Sequence, residues 1–263
     1  MTAPGQTWSS QPYLDHISAG PSHAGHSDAF DDARKHTQQP IVTGTSILAI
    51  KYRDGIMMAA DTLASYGSLA RFMDVRRITF VEGANSIIGC SGDQSDFQYI
   101  QHSIDKLMLR EFNAGDGHTL TPPQLYRSLS RMMYARRSKV DPLWNSLVLA
   151  GIDPTTGAPF LGYVDLLGTT YQSTTIATGF GLHLAQPLLR KEVEGREHEI
   201  DEAKAREILE NCMRVLFYRD ARSLNRFQIA KITKEGAEIG EPISASTNWA
   251  FAEGLRGYGP QTQ

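Results

Sequence analysis

The order of strand-forming and helix-forming segments in this chain predicts an α+β fold. Three observations carry that prediction. After Gly44, short apolar runs alternate with Gly-containing turns, as antiparallel strands do. Two apolar stripes at helical spacing then follow one another without an intervening strand. The same succession, strands and then two helical stripes, recurs before a closing hairpin. Strict βαβ alternation would have predicted a parallel sheet instead. Two antiparallel sheets packed face to face, with helices outside both, satisfy every amphipathic pattern, although the pattern permits this arrangement rather than compelling it.

In chain order, Ile47 and Ala49 alternate against Leu48, Ile50 and Tyr52, and Arg53-Asp54-Gly55 signals a tight hairpin turn. The unbroken apolar run Ile56–Ala60 predicts a strand buried on both faces. A second pair, Arg77–Val81 and Ser86–Cys90, is broken at Glu82-Gly83-Ala84-Asn85. Phe97, Ile100, Ile104, Leu107 and Met108 form one helical stripe, with Asp93 as its N-cap. The next helix opens at Thr121-Pro122-Pro123-Gln124, where Gln124 closes a capping box and Leu125, Leu129, Met132 and Met133 face inward. Strands resume at Ser146–Ile152 and Pro159–Asp165, and the β-branched stretch Thr169–Thr178 reads as a third. Leu182, Ala185, Leu188 and Leu189 mark one further helix; Asp201 caps another, whose face runs from Ala205 to Leu216. Phe227–Thr233 and Ala237–Ile239 form the last hairpin.

Composition excludes several classes of function. At 263 residues the chain is long enough for a generous core, and a net charge of −3 gives no reason to expect nucleic acid or an anionic membrane as partner. No apolar run approaches the roughly 20 residues that span a bilayer. Cys90 and Cys212 sit in apolar segments, as buried hydrophobes of a reducing compartment do. Neither metal-ligand spacing nor a phosphate-binding glycine loop is present, so no metal and no cofactor is expected.

Three regions are expected: a leader at 1–36, a main domain at 37–242 and a C-terminal extension at 243–263. Residues 1–40 are rich in Gly, Ser, His, Asp and Pro, and their few apolar residues keep no period. Such a segment buries too little apolar surface to offset its ordering entropy, so a disordered, removable leader is expected. His16, His23, His26 and His36 fall in it at irregular spacing, unlike a metal-binding tract.

Thr45, Asp61 and Arg77 stand at equal intervals along the first strands, and Gly44 precedes the threonine. This stretch resembles the opening of a proteasome beta-type subunit. The resemblance extends over Thr37-Gln38-Gln39-Pro40, Tyr66–Phe72, Asp141-Pro142-Leu143-Trp144-Asn145 and Phe217–Ile229, and is strongest to the non-catalytic seventh beta type of the eukaryotic 20S core. It implies a four-layer αββα sandwich, the N-terminal nucleophile hydrolase fold. Active members use the threonine hydroxyl as nucleophile and its own α-amine, of pKa about 7.7–8.0, as base. They carry lysine where this chain has Arg77. A guanidinium stays charged at any physiological pH and cannot give up and retake a proton. Arg77 is therefore expected to clamp Asp61 as a static ion pair and to crowd the threonine. By the same resemblance Asp220 and Ser223 occupy positions that brace the threonine, while Thr178-Gly179-Phe180-Gly181 replaces a serine-containing support with glycine.

What the resemblance implies is a degenerate peptidase scaffold with no catalytic residue of its own. Its leader would be cut between His36 and Thr37 by an active neighbour, which leaves Thr37–Gly44 ahead of Thr45. Its partners would be the other alpha and beta subunits of a heteromeric core, together with assembly chaperones. Trp249 and Phe251 would anchor the C-terminal extension in neighbouring subunits across the beta rings. The setting would be ubiquitin-dependent degradation in cytoplasm and nucleus. The alternative is a working endopeptidase, with Thr45 freed by self-cleavage at Gly44.

Overall fold

The computed structural model describes residues 39–252. The leader and the expected processing pair His36 and Thr37 lie outside the described residues. All described strands and helices belong to one compact unit beginning at Ile41.

Two antiparallel sheets face each other. The five-stranded sheet is ordered β11 (Thr175–Ala177), β2 (Ile47–Tyr52), β3 (Gly55–Asp61), β12 (Phe227–Thr233), β13 (Gly236–Ile239). The second sheet runs β10 (Thr170–Gln172), β9 (Pro159–Val164), β8 (Asn145–Ile152), β7 (Ser86–Asp93), β1 (Val42–Gly44), β4 (Ala64–Tyr66), β5 (Leu69–Phe72), and β6 (Ile78–Val81) also pairs with β7. Helices α1 (Gln94–Ala114) and α2 (Pro122–Ser138) cover the outer face of the second sheet. The one-turn α3 (Gly181–Leu184), then α4 (Gln186–Val193) and α5 (Glu202–Arg219), follow β11, and α4 and α5 cover the first sheet.

Strand alternation explains the layering. On β2, Ile47 and Ala49 point between the sheets, while Leu48, Ile50 and Tyr52 point to the helices. On β3, Ile56, Met58 and Ala60 take the inner side, and Met57 and Ala59 the helical side. Each strand is thus apolar on both faces, because each face meets another layer. Three separate cores result, one per interlayer space. No helix among the described residues is long and apolar enough to cross a membrane.

Local chemistry sets the element ends. Asp93 accepts from the backbone of Ser95 and Asp96 at the start of α1, at 2.9 and 3.1 Å. Gln124 accepts from the Thr121 backbone at 2.8 Å, and Asp201 accepts from that of Lys204 at 2.8 Å. The β2–β3 turn is Arg53–Asp54, and Gly55 already pairs with Tyr52. What Gly55 supplies is the absence of a Cβ, which would lie 2.1 Å from the Ile232 carbonyl oxygen.

Several expectations need correction. Thr169–Thr178 is two strands in different sheets: Thr170–Gln172 pairs with β9, and Thr175–Ala177 pairs with β2. The chain crosses between sheets at Ser173–Thr174, where Thr174 accepts from Lys51. The helix expected around Leu182–Leu189 divides at Ala185. Pro187 in the first turn of α4 has no N–H to continue the ladder of α3. Among the described residues past 242, Ile243 and Ala245 are tied to the body. Ile243 and Phe227 exchange backbone hydrogen bonds of 2.8 and 2.9 Å, and Asn225 clamps Ala245 from both sides.

Candidate functional site

Thr45 joins β1 to β2, at the point where the chain passes from one sheet to the other. The segment before it is woven into the second sheet. Thr43 lies opposite Asp93 on one side and Ser65 on the other, and Gly44 lies opposite Gly92. The Ile41 amide donates to Asp93 Oδ2 at 2.8 Å, which fastens the entry of this strand. Thr45 is half-buried. Its hydroxyl donates to Asp220 Oδ2 at 2.6 Å.

Asp220 is the C-cap of α5 and is held in turn by the Arg222 amide, which donates to Oδ1 at 2.8 Å. Ser223 does not reach the threonine. Its hydroxyl donates to the carbonyls of Asp220 and Leu216, at 2.7 and 3.1 Å, and so closes the helix end that presents Asp220.

Arg77 precedes β6 and is buried to 1 % exposure. Its guanidinium spans the two sheets. Nε donates to the Asp61 carbonyl at 2.9 Å, Nη1 to the Thr45 carbonyl at 2.7 Å, and Nη2 to the Ser46 carbonyl at 2.9 Å. Nη1 also lies 3.4 Å from the Cys90 carbonyl on β7. Nη2 makes a short ion pair with Asp61 Oδ1. The other carboxylate oxygen of Asp61 accepts from the Leu224 amide at 3.0 Å. Burial pushes the Asp61 carboxyl above its ordinary range, while the Arg77 charge and the Leu224 N–H pull against that.

The structure therefore brings Thr45, Asp61, Arg77 and Asp220 together from separate elements. Arg77 meets the main chain of Thr45, and the hydroxyl belongs to Asp220. The crowding falls on Gly44. A Cβ there would lie 2.5 Å from Arg77 Cδ and 2.9 Å from Nη1. Sequence reasoning missed this dependence, since nothing in the spacing links a glycine to the arginine folded over it. It named Thr178 within the 178–181 run but missed its role: the Thr178 hydroxyl accepts from the Ile47 amide at 2.9 Å. The Ser46 hydroxyl accepts from Gly181 N at 2.8 Å, and Gly179 takes the left-handed φ of +57°. The 178–181 segment thus braces the residues following Thr45 through the Thr178 hydroxyl and its own backbone.

A cleft of about 490 Å³ opens in front of Thr45, between Gly92, Trp144, Phe180 and Arg222. A larger depression of about 630 Å³ lies at the other end of β2, among Arg53, Glu202, Lys231 and Glu238. Its Lys231 is already paired, with Glu202 at 2.9 Å and Glu238 at 3.2 Å, and none of Thr45, Asp61, Arg77, Asp220 and Ser223 lines it. Among the described residues no cluster of three or more His, Cys, Asp or Glu side chains suits a metal ion.

Trp249 and Phe251 rest on the end of α5. Trp249 packs edge-on to Tyr218 and Phe217, at centroid distances of 4.9 and 5.8 Å, and Phe251 packs on Tyr218 at 5.3 Å. The Asn248 amide donates to the Tyr218 hydroxyl at 2.7 Å. Both residues remain about half exposed.

A family model described as "Proteasome subunit" matches residues 41–232. The chain belongs to the proteasome subunit family. It is 51 % identical over 243 residues to a probable proteasome subunit beta type-7 of Schizosaccharomyces pombe, covering 92 % of each chain. It is 48 % identical to a proteasome subunit beta type-4 of Xenopus laevis, covering 85 % of this chain and 91 % of the frog protein. Identity to a proteasome subunit beta type-7 of Saccharomyces cerevisiae is 46 %, over 86 % of this chain and 87 % of the yeast one. The chain is thus a eukaryotic beta-type subunit, and its two helix-flanked antiparallel sheets are the N-terminal nucleophile hydrolase fold of that family.

Proposed function

We propose that this beta-type subunit is a non-catalytic, structural member of the 20S core, working in ring assembly and ring joining rather than in peptide cleavage. The observation that carries this reading is the state of Arg77: buried, permanently charged, and bonded to four carbonyls and the Asp61 carboxylate. No side chain with a titrating amine occupies that place, so none can take up and return a proton there as the Thr45 hydroxyl attacks or is released. A second support is β1. While Gly44 precedes it, the Thr45 nitrogen is an amide and cannot serve as base, and Val42–Gly44 are held by pairing on both edges.

On this reading the leader is cut after His36 by an active neighbour, and Thr37–Gly44 stays ahead of Thr45 in the mature chain. The partners are the other alpha and beta subunits and the assembly chaperones of the core, in cytoplasm and nucleus. Trp249 and Phe251, seated on α5, present their exposed parts to a neighbouring subunit. Removing residues 243–263 is expected to slow the joining of half-particles, as read by native gels of assembly intermediates; unchanged joining contradicts this role.

The 2.6 Å bond from Thr45 to Asp220, with an open cleft before it, favours a second reading in which Thr45 is freed and cuts peptides. A threonine-directed electrophilic inhibitor separates the two. Silence of this chain beside labelled neighbours in the same particle is the expected result, and an adduct on Thr45 establishes the second reading.

A further inference from the structure

Residues 220–226 connect α5 to β12, and they face two ways. Toward Thr45, Asp220 Oδ2 accepts from the threonine hydroxyl at 2.6 Å, and the Leu224 amide donates to Asp61 Oδ2 at 3.0 Å. The Arg226 carbonyl accepts from the Thr62 amide at 2.9 Å. Toward the C-terminal residues, the Asn225 side chain donates to the Ala245 carbonyl at 2.8 Å and accepts from the Ala245 amide at 2.9 Å. Phe227 holds Ile243 by two backbone hydrogen bonds. From Leu224 to Phe227 the partners therefore alternate between the buried centre and the C-terminal segment. The end of α5 is gripped by the same segment. The Tyr218 hydroxyl accepts from the Asn248 amide at 2.7 Å, Trp249 and Phe251 pack on the Tyr218 ring, and the Arg219 guanidinium carbon lies 5.4 Å from the Phe251 ring centroid. Asp220 is the next residue in the chain.

The Asp61 carboxylate is buried, and an oxygen that loses its donor there is costlier than one that can turn to water. The register of Leu224 therefore matters to the whole Arg77–Asp61 pair. We propose that residues 243–252 are a latch: seated on α5 and on Asn225, they hold the 220–226 connector where Asp220 meets Thr45 and Leu224 meets Asp61. Trp249 and Phe251 are then positioning residues for a centre that neither of them touches. The C-terminal segment and the buried centre form one cooperative unit, and unseating the segment loosens the centre. This holds whether or not Thr45 ever cuts a peptide, so it stands or falls apart from the structural role proposed above.

Amide hydrogen exchange in the purified core particle, resolved to single residues by mass spectrometry, tests the latch. The double variant W249A/F251A should exchange about tenfold faster than wild type at the Leu224 and Thr62 amides. Amides outside the unit, such as those of Ile88 and Leu149 in the β7–β8 pair, should keep their wild-type rates. Trp249→Phe, which keeps an aromatic ring against Tyr218, should leave Leu224 and Thr62 at their wild-type rates. Tyr218→Phe removes one acceptor and leaves every ring in place, and about threefold faster exchange at Leu224 is expected from it. This milder variant carries the test if the double variant does not enter particles. Wild-type exchange at Leu224 and Thr62 in the altered chains overturns the proposal and makes the segment a passive tail. Equal acceleration at Ile88 and Leu149 overturns it too, because the aromatic residues then add only general stability.

Discussion

The two ends of β2 carry the same chemistry in opposite solvents. At the Thr45 end, Arg77 and Asp61 form a cation–carboxylate pair with each side chain 1 % exposed. At the Arg53 end, Lys231 bridges Glu202 and Glu238, with side chains 28, 44 and 68 % exposed. The first pair is closed. Every arm of the guanidinium donates, and both oxygens of the carboxylate accept. The second competes with water at each contact. The contrast teaches that an ion pair here becomes structural through the carbonyls around it.

The comparison can be broken most forcefully by removing half of the buried pair. Asp61→Ala leaves the Arg77 charge uncompensated between the sheets and should cost about 3–5 kcal/mol in denaturant unfolding of the purified chain. A loss under about 1 kcal/mol would mean that the pair is not the clamp described. Gly44→Ala comes next. Its Cβ would press on Arg77 Cδ, and the arginine cannot yield without giving up carbonyl bonds. A loss of about 1–3 kcal/mol is expected, and it should shrink in the Arg77→Ala background, where the obstructing side chain is gone. At the exposed end, Glu202→Ala should shift stability by no more than about 1 kcal/mol, and the shift should fade in high salt. The smallest effect concerns the thiols. Burial raises the Cys212 thiol to about 12 and carries Cys90 higher still. Native protein at pH 8 should therefore leave both unreacted with Ellman's reagent until denaturant is added.

Much of this molecule was legible in its residues. Capping by Asp93, Asp201 and the Thr121–Gln124 pair follows from short polar side chains ahead of apolar stripes, and those contacts form. The both-faces burial of Ile56–Ala60 follows from an unbroken apolar run. What stayed hidden depends on tertiary context. Leu69–Phe72 is a strand with all four residues exposed, so no alternation announces it. Thr169–Thr178 reads as one strand because β-branched residues suit either sheet, and nothing local marks the crossing at Ser173–Thr174. At the site, Thr45, Asp61, Arg77 and Asp220 were found as a set, since their types and spacing carry the family resemblance. The role of Ser223 at the helix end and the packing of Arg77 on Gly44 were not, because both are contacts of backbone and shape that side-chain chemistry does not advertise.

The decisive quantity is the amino terminus of this chain after assembly. Intact-mass measurement of the subunit from purified core particles reads it in one step. A mass starting at Thr37, with Thr37–Gly44 retained ahead of a peptide-bonded Thr45, is the result predicted here. A chain that starts at Thr45, and so places a free amine beside that hydroxyl, contradicts the account.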